Sequence, residues 1–166
     1  MRRVFEEDFN EDLSPGYVHH ESEVIWLDRE LVTSTSSACS QMIRSMSAEP
    51  TPSQVEELSA AYLGRFALDF EYEDWATSFR DWLHASYLQI VEHALAADLS
   101  SGHFERGIRI ARRALEVDAT AESVEVSLLR LYRASGAHAA AAEQYAHYAT
   151  RLRQELEMEP PPLELL

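Results

Sequence analysis

The chain has no lysine: all 14 of its cations are arginine, against 29 acids, for a formal charge of −15 over 166 residues. That balance argues against an unaided grip on nucleic acid or an anionic membrane, since each needs a basic footprint. A single cysteine, Cys39, excludes an internal disulfide and a thiolate metal cluster. With 5 glycines in all, there is no phosphate-binding glycine loop, nor any kinase- or cyclase-type motif. No apolar run approaches the ~20 residues of a membrane-spanning helix, and the opening MRRVFEEDFNEDL is too acidic for a signal peptide. A soluble, cytoplasmic protein is expected.

Apolar residues make up 46% of the chain, enough to bury a core. The length suits one domain, or one domain with an appendage. Charge is uneven, at −6 over residues 1–50, −7 over 51–100 and −2 over 101–166.

Three zones of composition follow. In residues 1–33, RRVFEEDF suits a short helix and LSPGY a turn. Tyr17-Val18 and Val24-Ile25-Trp26-Leu27 then read as a strand pair. A two-stranded ribbon is marginal alone, so it should lie against helices or another chain. Residues 34–52 read as a Ser/Thr-rich joint, helix-compatible over SACSQMIRSM and broken by Pro50 and Pro52. Its hydroxyls suit caps and turns better than a phosphorylation region.

Residues 53–166 read as all-α. Ser53 with Glu56 three residues on is a capping-box pattern opening SQVEELSAAYLGRF. Beyond Asp74, Trp75, Phe79, Trp82, Leu83, Tyr87, Ile90, Val91, Ala94 and Leu95 form a stripe at three- and four-residue steps. Phe104, Ile108, Ala111 and Leu115 mark the next helix face, and Val124, Leu128 and Leu131, with Tyr132 beside them, the one after. The last helix should turn Ala142, Tyr145, Tyr148 or Ala149, and Leu152 inward. Gly102 and Gly136 stand where helix C-caps are expected, and three prolines in MEPPPLELL stop the last helix.

Gly102 and Gly136 are 34 residues apart, the period of the tetratricopeptide repeat. At the same shift Ala94 falls on Leu128, Leu95 on Leu129, Ile108 on Ala142, Ala111 on Tyr145 and Ala114 on Tyr148. Small residues at Gly107 and Ala141 would let paired helices approach closely. Asp98 falls on Tyr132, so the repeats are degenerate. A solenoid usually needs at least ~3 repeats, and the Ser53–Leu83 region is expected to supply a third, atypical unit.

An ordered set of marks points to a family. It comprises Tyr62-Leu63-Gly64, Trp75-Ala76 with Arg80, Gly102 with the arginine-bearing helix after it, and Asp118 with Glu122. Leu131-Tyr132 with Ser135-Gly136 follows, then Tyr145 ahead of Leu152, Glu155-Leu156 and Glu159-Pro160. On these, about residues 53–162 resemble the bacterial transcriptional activator domain. That domain is the tetratricopeptide-like module of regulators similar to the antibiotic-pathway activators of filamentous bacteria. Two positions depart from the family pattern: Ala119-Thr120 stand where proline and leucine are usual, and Glu157 where glycine is usual. The resemblance also implies a preceding winged-helix DNA-binding domain. Residues 1–33 look like its last piece, with Arg2-Arg3-Val4 ending a recognition helix and the ribbon as its wing. Most of a winged helix has no counterpart here.

Candidate chemistry is thin. His19 and His20 are adjacent on a strand and point to opposite faces. His84 and His93, like His138 and His147, are nine apart, not the four-residue step that puts two ligands on one helix face. No metal or cofactor is expected. Cys39 has no neighbouring base and reads as a bystander thiol. The acids of FEEDFNED and DFEYEDW read as solvated or as complements to helix dipoles. Arg106, Arg109, Arg112 and Arg113 are better explained by ion pairs with Glu105, Glu116 and other acids than by a phosphate patch. Trp75, Trp82 and Tyr87 read as core. No catalytic set emerges, and an enzyme is not expected.

Surface recognition remains. In tetratricopeptide folds the first helix of each pair lines the concave groove. By register with Gly102 and Gly136 this assigns Gln89, Glu92 and Ala96 in one repeat and Ser123, Val126, Arg130 and Arg133 in the next. The expected partner is a protein segment or another domain of the same regulator, self-association included, with DNA reached only through a missing or separate winged-helix domain. The alternatives are a helical-repeat scaffold or a ligand-sensing domain of a multidomain signalling protein.

Overall fold

The structure is a computed structural model that describes residues 16–70, 72–155 and 157–166. Among them, two strands, β1 (Val18–Glu21) and β2 (Val24–Leu27), precede six α-helices. These are α1 (Thr35–Ser45), α2 (Pro52–Ala61), α3 (Asp74–Ser101), α4 (Phe104–Val117), α5 (Glu122–Ala134) and α6 (His138–Glu155). Short 3-10 turns lie at Leu68–Phe70 and Leu163–Leu165. The expected all-α hairpin array with a small leading ribbon is what forms. The helix expected over RRVFEEDF, the Arg2-Arg3-Val4 recognition-helix end and the FEEDFNED acids lie outside the described residues.

The ribbon is antiparallel, pairing Val18 with Leu27 and Glu21 with Val24. His19 stacks on Trp26 at 5.6 Å and its Nε2 lies 3.0 Å from Asp28 Oδ2. His20 is exposed. Val18 is buried, whereas all four residues of β2 are exposed.

Proline opens α2. Thr51 is the N-cap, its hydroxyl and the Gln54 side chain form the capping box, and Pro52 takes the first helical position. There its missing N–H is no loss and its fixed φ is already helical. The box expected at Ser53 and Glu56 is therefore displaced by two residues, and the helix stops at Ala61, leaving Leu63–Phe66 in a loop. Arg80, itself buried, secures that loop by donating to the carbonyls of Phe66 at 2.8 Å and Ala67 at 3.1 Å.

From α3 onward the chain reverses twice in the same way. Gly102 (φ 76°) and Gly136 (φ 79°) are left-handed. The His103 N–H reaches the Asp98 carbonyl at 2.9 Å, and 34 residues on the Ala137 N–H reaches the Tyr132 carbonyl at 2.9 Å. The repeat is thus written in the backbone. One core joins Leu83, Tyr87, Val91 and Leu95 of α3, Ile110, Ala111 and Ala114 of α4, and Val124, Leu128 and Leu131 of α5. Cys39 of α1 and Val55 and Leu58 of α2 belong to the same core. The third unit is α1 packed on α2, both against α3; it does not run from Ser53 to Leu83, because residues 74–83 belong to the uninterrupted α3.

Several inward faces differ from expectation. Trp75 is 62% and Trp82 37% exposed, so neither is core. Leu83 and Tyr87 are buried as expected and Ala76 joins them on the inner line of α3, while Trp75 packs edge-on to Phe66 and Trp82 lies under the Arg44 guanidinium. On α4 the innermost residues are Gly107, Ile110, Ala111 and Ala114, with Phe104, Ile108 and Leu115 only half-buried. On α6 it is Ala141, not Ala142, that is buried. Gly107 and Ala141, 34 apart, are the small residues that bring each helix pair together.

A Cβ on Gly107 would stand 2.9 Å from Leu131 Cδ1 and 3.2 Å from Asp98 Cβ. Leu131 and Asp98 are both fully buried. Gly107→Ala should therefore destabilise the fold by about 1–2 kcal/mol, because overpacking (~1–3 kcal/mol) outweighs the gain of ~1 kcal/mol in helix propensity. Urea denaturation of the two chains measures this, and a more stable variant would show that Leu131 yields freely.

Candidate interaction surface

The expected groove residues fall into two groups. Ser123 on α5 donates its hydroxyl to Glu92 on α3, joining the two first helices where the register placed them. Gln89 and Ala96 are exposed on the same helix. Val126, Arg130 and Arg133 meet something that periodicity did not anticipate: a segment of the same chain.

That segment begins where α6 ends. Glu157 adopts a left-handed backbone (φ 54°), and the Met158 N–H donates to the Leu152 carbonyl at 3.0 Å, turning the chain back. Glycine usually stands at this position in the family, and the conformation supplies the reason. Pro160, Pro161 and Pro162 then carry the backbone across the α5–α6 hairpin as a strap that ends in the 3-10 turn Leu163–Leu165. Tyr145 Oη donates to the Pro161 carbonyl at 2.9 Å, Arg133 Nη1 to the Leu163 carbonyl at 2.7 Å, and Arg130 Nε to the Leu166 carbonyl. Leu163 and Leu166 pack on a small core of Leu129, Tyr148 and Leu152, flanked by Val126 and Tyr145. Arg153 faces Glu159 at 3.5 Å.

Beneath the strap, α5 is bolted to α6 by polar groups. Glu125, only 3% exposed, takes the Arg151 guanidinium on one oxygen and Gln144 Nε2 on the other at 3.0 Å. Arg151 also donates to the Ala119 carbonyl. Tyr148 Oη donates to Glu122 Oε1 at 2.9 Å. Burial, followed by that carboxylate neighbour, pushes the phenol up to about 12. The surface that carries the strap is therefore rigid.

Three of the four α4 arginines form ion pairs, and Arg112 is exposed. Arg106 makes a two-point bond to the fully buried Asp98, Arg109 lies 2.9 Å from Glu56, and Arg113 lies 2.9 Å from Glu116. The Asp98 bond raises the Arg106 pKa further. Cys39 is 1% exposed, and burial pushes its thiol up and away from the thiolate.

A second buried constellation went unread in the sequence. His84 Nε2 lies 2.8 Å from Asp118 Oδ2, and His84 Nδ1 lies 2.9 Å from Tyr62 Oη. Arg65 reaches the same Asp118 oxygen at 3.2 Å, while the Thr120 N–H and hydroxyl bond the other. Partial burial drives the Asp118 carboxyl upward, but Thr120, Arg65 and His84 outweigh it and hold the group well below the carboxylate range. An ionised Asp118 only accepts, so His84 Nε2 bears the proton of that bond. The set ties the end of α2 to α3 and to the α4–α5 turn. Tyr62 is 1% exposed, and burial pushes its hydroxyl upward. Among the described residues no three His, Cys, Asp or Glu side chains converge as metal ligands would.

With this geometry in place, comparison with known families gives one match: the sequence model of the bacterial transcriptional activator domain fits residues 27–163. The match takes in all six helices, and the chain belongs to that family, a domain of transcription regulators. Comparisons with curated proteins and with solved structures returned no match. Among the described residues no helix is long and apolar enough to cross a membrane.

Asp118 supplies a pH test. Its folded pKa lies below the ordinary 3.8, so its contribution is present at neutral pH and is lost as pH falls below that value. Asp118→Asn should cost about 3 kcal/mol at pH 7, the order for breaking a buried charged network. The loss should shrink steadily as both chains are titrated below pH ~4, where the unfolded chain takes up the proton that the native carboxylate still refuses. Thermal unfolding from pH 7 downward reads both effects; a difference that stays constant with pH would remove the ionised-clamp account.

Proposed function

We propose that this chain is the protein-interaction module of a bacterial transcription regulator, acting by contact with a protein segment or another domain of the regulator. On this reading it neither binds DNA by itself nor catalyses a reaction. The observation that carries it is the α5–α6 face, where three side-chain donors aim at the backbone carbonyls of a bound segment. Donors that read carbonyls over apolar seats are the chemistry of peptide recognition.

Charge supports the DNA side of the reading. Phosphate contacts release counterions and require clustered cations, and the α4 arginines nearest to such a cluster pair with Asp98, Glu56 and Glu116. The Tyr62–His84–Asp118 set is buried beneath the loop and turn that it joins, which suits a clamp better than a reaction centre.

The full chain, fused to an unrelated DNA-binding domain, should change transcription from a reporter carrying that domain's site. Alone, at micromolar concentration and about 0.1 M salt, where non-specific binders retain affinity, it should leave duplex DNA unshifted on a gel. A fusion no different from the bare DNA-binding domain, or a shift by the chain alone, would overturn the proposal.

A further inference from the structure

The strap occupies the position of a missing repeat. Leu95 of α3 and Ala114 of α4 share one core with Val124, Leu128 and Leu131 of α5, the next first helix. Thirty-four residues on, Leu129 and Tyr148 turn the same face outward. A further first helix would pack there, yet three prolines forbid an α-helix and a strap with one 3-10 turn lies there instead.

The recognition is of a particular kind. An α-helix uses its own carbonyls internally, except in its last turn. Here the carbonyls of residues 161, 163 and 166 are each taken by a side-chain donor of α5 or α6. The face therefore suits a proline-led segment that ends in a single 3-10 turn, a turn that brings residues three apart, Leu163 and Leu166, to one side. Its apolar seats take two leucines three positions apart, and of the two exposed residues between them the apolar one, Leu165, is 76% exposed and contributes nothing to the seat. Charge agrees: residues 157–166 hold Glu157, Glu159 and Glu164 without a cation, while the face and its edge supply Arg130, Arg133 and Arg153. Leu163 and Leu166 are only half-buried, so the occupant is held loosely enough to exchange.

We propose that the α5–α6 face is a docking groove for an acidic, proline-led peptide of a protein partner, with leucines at i and i+3, and that residues 158–166 are its built-in competitor. This rests on the interaction-module reading but has its own test. A partner gains the groove by displacing the strap, so the free fraction of the groove sets the apparent affinity.

The probe is a fluorescent synthetic peptide copying residues 157–166, titrated with the full chain and followed by anisotropy. The double variant Leu163→Ala/Leu166→Ala, which loosens the strap but leaves the groove, should bind the peptide at least about tenfold more tightly than the native chain. Adding Arg130→Glu/Arg133→Glu to that variant should remove the gain. A peptide with both leucines replaced by alanine should bind at least about tenfold more weakly, since each buried leucine contributes on the order of 1.5–3 kcal/mol. Circular dichroism confirms that each variant keeps its helices. Should the double variant lose helix, the native chain with excess peptide serves instead, where a saturable, arginine-dependent signal supports the groove. A folded double variant that binds no more tightly than the native chain, or that forms a strap-exchanged dimer with no peptide gain, would overturn the proposal. The reporter fusion reads the module's output without reference to this face, so the two ideas can fail separately.

Discussion

When one helix must be followed almost at once by another running back along it, the backbone has to pass through the left-handed region. At Gly102 and Gly136 it does so, with φ of 76° and 79°, where a side chain would be strained. At each reversal the residue just before the new helix donates its N–H to the carbonyl five residues upstream, at the same 2.9 Å. Once both reversals are fixed, the helices between them can only stack, and the residues at the crossing must be small. Gly107 and Ala141 answer that demand in equivalent places. The core follows from these turns, since no helix here could bury its apolar face alone.

A repeated array carries its own hazard, for equivalent hairpins can slip or exchange. Buried ion pairs at non-equivalent positions oppose this. Asp98 with Arg106 secures the first hairpin, while 34 residues on stand Tyr132 and Ala140. Glu125 with Arg151 secures the second, where the first has Val91 and Val117. Placing either hairpin in the other's setting would leave a buried charge without its partner, at a cost of several kcal/mol. The Tyr62–His84–Asp118 set does the same for α2 and for the turn before α5. Charge in this core gives each helix an address.

How far the sequence could be read follows from which interactions repeat. The period, both glycine turns, the ribbon and the helical class were legible because each leaves a local or periodic trace. Ser123 and Glu92 were placed on one surface by register alone, and they do meet. The cap at Thr51 was missed because Pro52 was read as a breaker, although at a first helical position it is a starter. Trp75 and Trp82 were misread because their three- and four-residue steps do not say on which side of a long helix the neighbours lie. The His84–Asp118 contact spans the 34-residue period but joins two residue types that no periodic pattern pairs, and the Glu125–Arg151 pair joins helices through partners 26 apart.

The strap lies between these cases. Its prolines said that the last helix stops, and nothing local said where the chain goes next. What fixes its path is the unfinished end of the array: a face bearing Leu129, Tyr148 and Leu152 that a further helix would otherwise cover. An apolar end must be capped, and Glu157, forced left-handed where glycine would sit more easily, sends the nearest available segment across it. That cover is narrower than a helix and bonded through its own carbonyls, so it satisfies the end of the array without sealing it. The constraint that builds the solenoid thereby leaves, at its last face, an apolar end that the chain's own strap covers through backbone carbonyls.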